Sequence, residues 1–142
     1  MSRAPLVFLD ANVLFSAAIG GPAFELILAL ATEKTIVLTT TRACLAEAET
    51  NLERKRPEAL SALAGVLARV SIERGAEDDH TEWAAALVHA DDVHVLAAAR
   101  AAEADVLVTG DVTHFGVLME RDDLGIRIRT PRAFLLEGPT RS

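Results

Sequence analysis

Two aspartates in this 142-residue chain stand where acid chemistry is expected, each behind a run of apolar residues. Asp10 closes the run that starts at Pro5, and Asp111 follows the run from Asp105 to Thr109 after a single glycine. Continuous apolar runs of this length read as strands buried on both faces of a parallel sheet. Ligands of open parallel sheets bind outside the carboxyl ends of the strands, near the point where strand order reverses. That rule alone draws two carboxylates from distant sequence toward one crevice. Asp91 and Asp92 precede a helical stretch leading into the second of these strands, and Glu47 and Glu49 lie early in the helix after Thr35 to Thr39. Periodicity does not separate the two glutamates. The apolar face of their helix carries Cys44, Leu45, Ala48 and Leu52, and both acids fall to its sides at about 3.6 residues per turn.

Carboxylates gathered at close range repel, and one takes a proton unless a cation neutralises the group. Magnesium or manganese is the natural cation, because hard divalent ions prefer oxygen ligands and combine one or two carboxylates with substrate phosphate. Such an ion generates a nucleophile from water and stabilises charge on a phosphoryl group, so the chemistry implied is phosphodiester hydrolysis. Each acid also has a plain structural use. Asp92 or Asp91 suits the cap of the following helix, and Asp111 suits a turn after Gly110. Asp10 is the hardest to explain that way, because an acid ending a buried strand needs a partner.

The elements that must position these acids alternate. Strands are expected at Pro5 to Asp10, Thr35 to Thr39, Val70 to Ile72, Asp105 to Thr109 and, as an edge, Gly125 to Arg129. Helices are expected at Ala23 to Thr32, from Thr40 or Thr41 as cap to about Arg54, and from Pro57 to about Arg69. Further helices are expected at Trp83 to Val88, Asp92 to Glu103 and Pro131 to Leu136, with a polar loop from Glu73 to His80. This order predicts a three-layer α/β/α sandwich with a mainly parallel sheet and right-handed crossovers. Residues 1–142 are expected to form one domain with its core at about 5–137.

Composition fits a globular domain, with 51% hydrophobic and 25% charged residues. Cys44 is the one cysteine and has no partner for an internal disulfide, which points to a reducing compartment. Met1 to Asp10 is too short and too acidic at its end for a secretory signal, and no apolar stretch approaches the roughly 20 residues of a membrane span. A cytoplasmic protein without membrane partners is expected. The net charge of −7 runs against nucleic-acid binding, unless bound cations supply positive charge where a phosphate sits. Two arginine groupings, Arg54 to Arg56 and Arg127, Arg129 and Arg132, read first as ordinary solvated charges.

The segment from Val7 through Asp10 and Asn12 to Ser16 resembles the first motif of the PIN-domain nucleases, many of which are toxins of bacterial VapBC-type toxin–antitoxin pairs. Asp92 to Ala99, followed by Ala104 to Asp111, is similar to the third and fourth motifs. Cys44 to Glu47, with Leu52 beyond, resembles the second. The resemblance implies Asp10, Glu47, Asp92 and Asp111 as catalytic acids holding Mg²⁺ or Mn²⁺, with Asn12 and Thr109 as supports that orient Asp10 and Asp111. It implies an endoribonuclease acting on RNA, an antitoxin partner and a homodimer.

Two other readings are weighed. A haloacid-dehalogenase-like phosphatase also opens with an acid after a buried strand. It wants a second acid where this chain has Asn12, and a lysine near the site, whereas the lysines are Lys34 and Lys55. A degenerate PIN module that binds without cutting is disfavoured because all four acidic positions are filled. His114 reads as a solvated or helix-capping residue, His80, His89 and His94 show no spacing of a zinc site, and Trp83 reads as core.

Overall fold

A computed structural model describes residues 3–138. Five strands, β1 (Leu6–Leu9), β2 (Val37–Thr41), β3 (Val70–Glu73), β4 (Val106–Val108) and β5 (Arg127–Arg129), form one sheet in the order β3-β2-β1-β4-β5. Every neighbouring pair is parallel. Parallel strands need long crossovers, and helices supply them. The chain passes through α1 (Ala11–Ala18) and α2 (Pro22–Thr32) between β1 and β2, and through α3 (Arg42–Lys55) and α4 (Leu60–Leu67) between β2 and β3. It returns across the sheet through α5 (Asp78–Ala85) and α6 (Val93–Ala101), and a one-turn α7 (Val112–Phe115) leads toward β5 and then α8 (Pro131–Glu137). Helices α1, α3 and α4 pack on one another, α2 packs on α8, and α5 on α6. With right-handed crossovers, the outward and return paths cover opposite faces of the sheet, giving the three-layer α/β/α architecture.

The core follows from the apolar runs. Val7, Phe8 and Leu9 of β1 and Val106, Leu107 and Val108 of β4 are fully enclosed, as the two central strands of a sheet covered on both faces must be. Ala97, Ala98 and Ala99 make α6 narrow and are buried against the sheet, and Phe8, Phe24, Phe115 and Phe134 fill the largest volumes. Pairing Val7 with Val106 and Leu9 with Val108 sets the register of the centre. Asp10 N–H extends that ladder by donating to the Val108 carbonyl at 3.1 Å, so Asp10 leaves β1 beside Thr109.

Two elements and one side chain depart from the sequence expectation. Helix α1 starts immediately after Asp10, because the Asp10 side chain caps it by accepting the Ala11 N–H; the motif residues from Ala11 to Ala18 are thus helical. Helix α5 begins at Asp78, inside the stretch expected as loop, with Asp78 and Asp79 favourably placed in its first turn. Trp83 is only half-buried, and the Arg100 guanidinium lies 4.2 Å from its ring centroid. Among the described residues, no single helix is long and apolar enough to cross a membrane.

Candidate active site

Strand order reverses at β1, whose neighbours β2 and β4 are reached by crossovers running in opposite directions, and Asp10 and Asp111 leave the sheet at this switch point. Asp10 is 4% exposed and its carboxylate is held from three sides. Ala11 N–H donates to Oδ1 at 2.7 Å, while the Thr109 hydroxyl at 2.8 Å and the Asn12 amide at 3.2 Å both donate to Oδ2. Asn12 Oδ1 in turn accepts the Gly110 N–H at 2.7 Å, and the Thr109 hydroxyl accepts the Asp111 N–H at 3.1 Å. A closed polar network therefore ties the end of β1 to the end of β4. Gly110 belongs to it for a steric reason: a Cβ there would stand 3.3 Å from Asn12 Oδ1.

Burial pushes the Asp10 carboxyl above its ordinary value, and the Thr109 and Ala11 hydrogen bonds oppose that rise without cancelling it; the Asp92 charge adds to it. Glu47, on the exposed side of the first turns of α3, is also raised, first by burial and then by the charges of Asp10 and Asp92. Asp10, Glu47 and Asp92 thus lie within electrostatic reach of one another. Thr41 aims α3 by capping it through the Cys44 N–H, and Thr40 anchors the turn by donating to the Leu9 carbonyl at 2.8 Å. Cys44 is buried beside these acids, and burial drives its thiol up to about 11, which leaves no thiolate for nucleophilic chemistry.

Asp92 arrives from the other face, at the end of a short 3₁₀ turn (Ala90–Asp92) that leads into α6. It is 9% exposed, and its Oδ2 is buried without an aligned hydrogen-bond donor. Asp111 caps α7 by accepting the His114 N–H on Oδ1 at 3.0 Å. His114 then turns its Nδ1 back to within 3.0 Å of Asp111 Oδ2 and 2.6 Å of Asp92 Oδ2. The second contact is close but lacks hydrogen-bond direction, since Asp92 Oδ2 remains unsatisfied.

A buried carboxylate oxygen with no aligned donor, next to carboxyls that raise each other's proton affinity, is the signature of a place for a cation. The donor set around Asp10 is of oxygen atoms, which suits Mg²⁺ or Mn²⁺. Of the four acids singled out by sequence, Asp10, Glu47 and Asp92 interact electrostatically, and Asp92 and Asp111 are linked through His114. Asn12 and Thr109 both bond Asp10, and Thr109 also receives the Asp111 backbone.

A family model for the PIN domain matches residues 6–113, which span β1 through the start of α7 and include all four acids. The chain belongs to the PIN-domain family. Its fold is similar to that of VapBC2 from Rickettsia felis bound to a promoter DNA fragment, with a TM-score of 0.65 and 19% identity over 88% of this chain and 98% of that one. It is also similar to VapBC-1 from nontypeable Haemophilus influenzae, with a TM-score of 0.61 and 16% identity over 89% and 98% of the two chains. A third likeness is to Mycobacterium tuberculosis VapC20, a sarcin–ricin loop cleaving toxin, with a TM-score of 0.56 and 20% identity over 79% and 94%. No curated protein matches the chain.

Two histidines that the sequence reading set aside lie beside these acids. His114 stands three residues after Asp111, and in a one-turn helix that spacing folds the imidazole back over the capping carboxylate; the Asp-x-x-His pattern was the available signal. His89 stacks on His114 with ring centroids 5.0 Å apart and planes 9° from parallel. Nothing in the 24 residues of sequence between them announces that contact.

Proposed function

We propose that this PIN domain, with residues 1–142 acting as one nuclease domain, is a Mg²⁺- or Mn²⁺-dependent endoribonuclease. Its metal-binding and catalytic set is Asp10, Glu47, Asp92 and Asp111, and Asn12 and Thr109 are the supporting residues. The observation that carries the reading is the pairing of a buried, fully oriented Asp10 with the unsatisfied Oδ2 of Asp92 across the switch point. When bound, the ion supplies Lewis-acid chemistry, neutralising charge on the phosphoryl group under attack. The side chains supply the rest. Thr109 and Asn12 hold Asp10 in one rotamer, so metal affinity does not depend on ordering a mobile carboxylate. Glu47 is exposed and its proton affinity is raised, which equips it to accept a proton from the attacking water.

The path proposed for RNA is a groove of about 610 Å³ lined by Thr41, Arg42, Glu73, Arg74 and His94, among others, of which His94 is within electrostatic reach of Asp10 and Glu47. Its two arginines supply the positive charge that an acidic chain otherwise lacks, and the ion supplies more. Likeness to a loop-cleaving toxin supports cleavage as the activity, and likeness to VapBC assemblies supports an antitoxin partner; a homodimer in the cytoplasm completes the proposal. The test is cleavage of RNA by the purified chain with Mg²⁺, with Mn²⁺ and with a chelator. Cleavage is expected only with metal, and Asp10→Asn should lower it by about a hundredfold or more, the scale on which removing one charge-stabilising group acts. Equal cleavage by Asp10→Asn, or undiminished cleavage in chelator, overturns the assignment.

A further inference from the structure

His89, Asp92 and His114 come from three separate places: the residue before the 3₁₀ turn, the residue before α6, and the one-turn helix after β4. Each nevertheless offers one ligand atom within 4.8 Å of the other two. Only Asp92 was drawn to the site by sequence, and the nuclease reading gives the two imidazoles no task.

We propose that these three side chains form a binding site for a divalent cation of the zinc class, distinct in chemistry from the oxygen-lined Mg²⁺ or Mn²⁺ position. Two imidazoles and one carboxylate are a donor set that Zn²⁺ accepts readily and Mg²⁺ does not, because Mg²⁺ demands an octahedron of oxygens and gives up its waters reluctantly. Three protein ligands with a fourth position open to water is a usual zinc arrangement. A tetrahedral ion with bonds of roughly 2.1 Å holds its ligand atoms roughly 3.4 Å apart. The observed spacings bracket that figure, from 2.6 Å between His114 Nδ1 and Asp92 Oδ2 to within 4.8 Å for the widest pair.

The residues able to close the difference are the exposed ones. The His89 side chain is 56% exposed and that of His114 38%, whereas Asp92 is fixed in the protein. A ring at the surface shifts by roughly an ångström through modest side-chain rotation at little cost. The two rings stack with their planes 9° from parallel, and His89 Nδ1 accepts the Asp91 N–H at 3.2 Å, so that nitrogen carries the lone pair an ion would take in exchange. Asp92 Oδ2, buried in the middle of this group without an aligned donor, is the atom through which either ion would be held. An ion held here engages Asp92, which the Mg²⁺ or Mn²⁺ position also uses, so the two ions compete.

Zn²⁺ binding to the full chain, followed by titration calorimetry in the presence of excess Mg²⁺, tests this without reference to RNA cleavage. The expected result is a Zn²⁺ site that Mg²⁺ does not abolish, weakened at least tenfold in His89→Ala and in His114→Ala, and retained in Asp10→Asn. Tenfold is the smaller loss seen even for an outer-shell partner of a metal. His89 is exposed and outside the packed core, so its alanine variant folds as the parent does, which circular dichroism verifies. Absence of Zn²⁺ binding, unchanged affinity in His89→Ala, or loss in Asp10→Asn with both histidine variants intact would each overturn the site. Failure of Mg²⁺-dependent cleavage would sink the nuclease reading and leave this result standing.

Discussion

Replacing Thr109 by valine isolates the polar network that joins β1 to β4. The side chain is fully buried and valine has nearly its shape, so the substitution opens no cavity and changes chemistry alone. The hydroxyl donates to an ionised carboxylate at 2.8 Å, a hydrogen bond of the charged kind worth about 1.5–3 kcal/mol. It also accepts the Asp111 N–H at 3.1 Å, whose loss adds about 1 kcal/mol. Asn12 still reaches Asp10 Oδ2 and limits the damage. A destabilisation of about 2–4 kcal/mol follows, which in a domain of this size lowers Tm by roughly 10 °C. The sign with pH is also fixed. Thr109 is the largest of the influences that lower the Asp10 carboxyl, so its removal raises that group further above its unfolded value. A folded pKa raised above the unfolded one contributes stability at low pH that is lost as pH climbs through the folded value. The gap between variant and parent should therefore widen from acid toward neutral pH. Urea midpoints of the metal-free protein across that range measure it, with Thr109→Ser, which keeps the hydroxyl, expected to lose only about 1 kcal/mol for its missing methyl. Equal midpoints for parent and Thr109→Val at neutral pH, or a serine variant as damaged as the valine, would refute the reasoning.

Two glycines give opposite outcomes in the same assay. A Cβ on Gly116 would stand 2.4 Å from the Val112 carbonyl oxygen, so Gly116→Ala should cost about 1–3 kcal/mol of stability, whereas Gly65 within α4 has nothing within 4 Å and Gly65→Ala should stabilise by about 0.5–1 kcal/mol. Asp10→Asn removes a buried charge whose carboxyl is held above its ordinary value, so chelator-treated Asp10→Asn should gain on the parent as pH rises from about 4 to neutral. Urea midpoints check that as well, and a gain that shrinks with rising pH would contradict the burial of an unneutralised charge.

The central sheet was legible because burial on both faces leaves a distinctive mark. Val7 to Leu9 and Val106 to Val108 are unbroken apolar runs, and unbroken runs admit few alternatives to the middle of a parallel sheet. Boundaries near polar caps were harder. Helix α1 begins with Asp10 serving at once as strand end, helix cap and site acid, and a strand reading has no cue to stop and restart within one residue. The start of α5 was hidden for the opposite reason: Asp78 and Asp79 look like loop residues, and only their place in a first turn makes them favourable to a helix.

The site divides along the same line. Asp10 and Asp111 are set by strand ends, and strand ends are what apolar patterning locates. Glu47 needed the orientation of α3, which the Thr41 cap and the burial of Cys44, Ala48 and Leu52 determine together and which leaves Glu47 in the field of Asp10. The arginine groups that the sequence reading took first as ordinary charges are largely paired within the chain. Arg127 and Arg129 both reach Glu137, Arg56 reaches Glu58, and Arg121 reaches Asp123, so these cations largely answer the chain's own acids. Arg42 and Arg74, which line the groove that includes His94, lie in no basic cluster in the sequence. Which cations face a groove is decided by the sheet and its crossovers, so arginines adjacent in sequence need not share a surface and arginines far apart in sequence can.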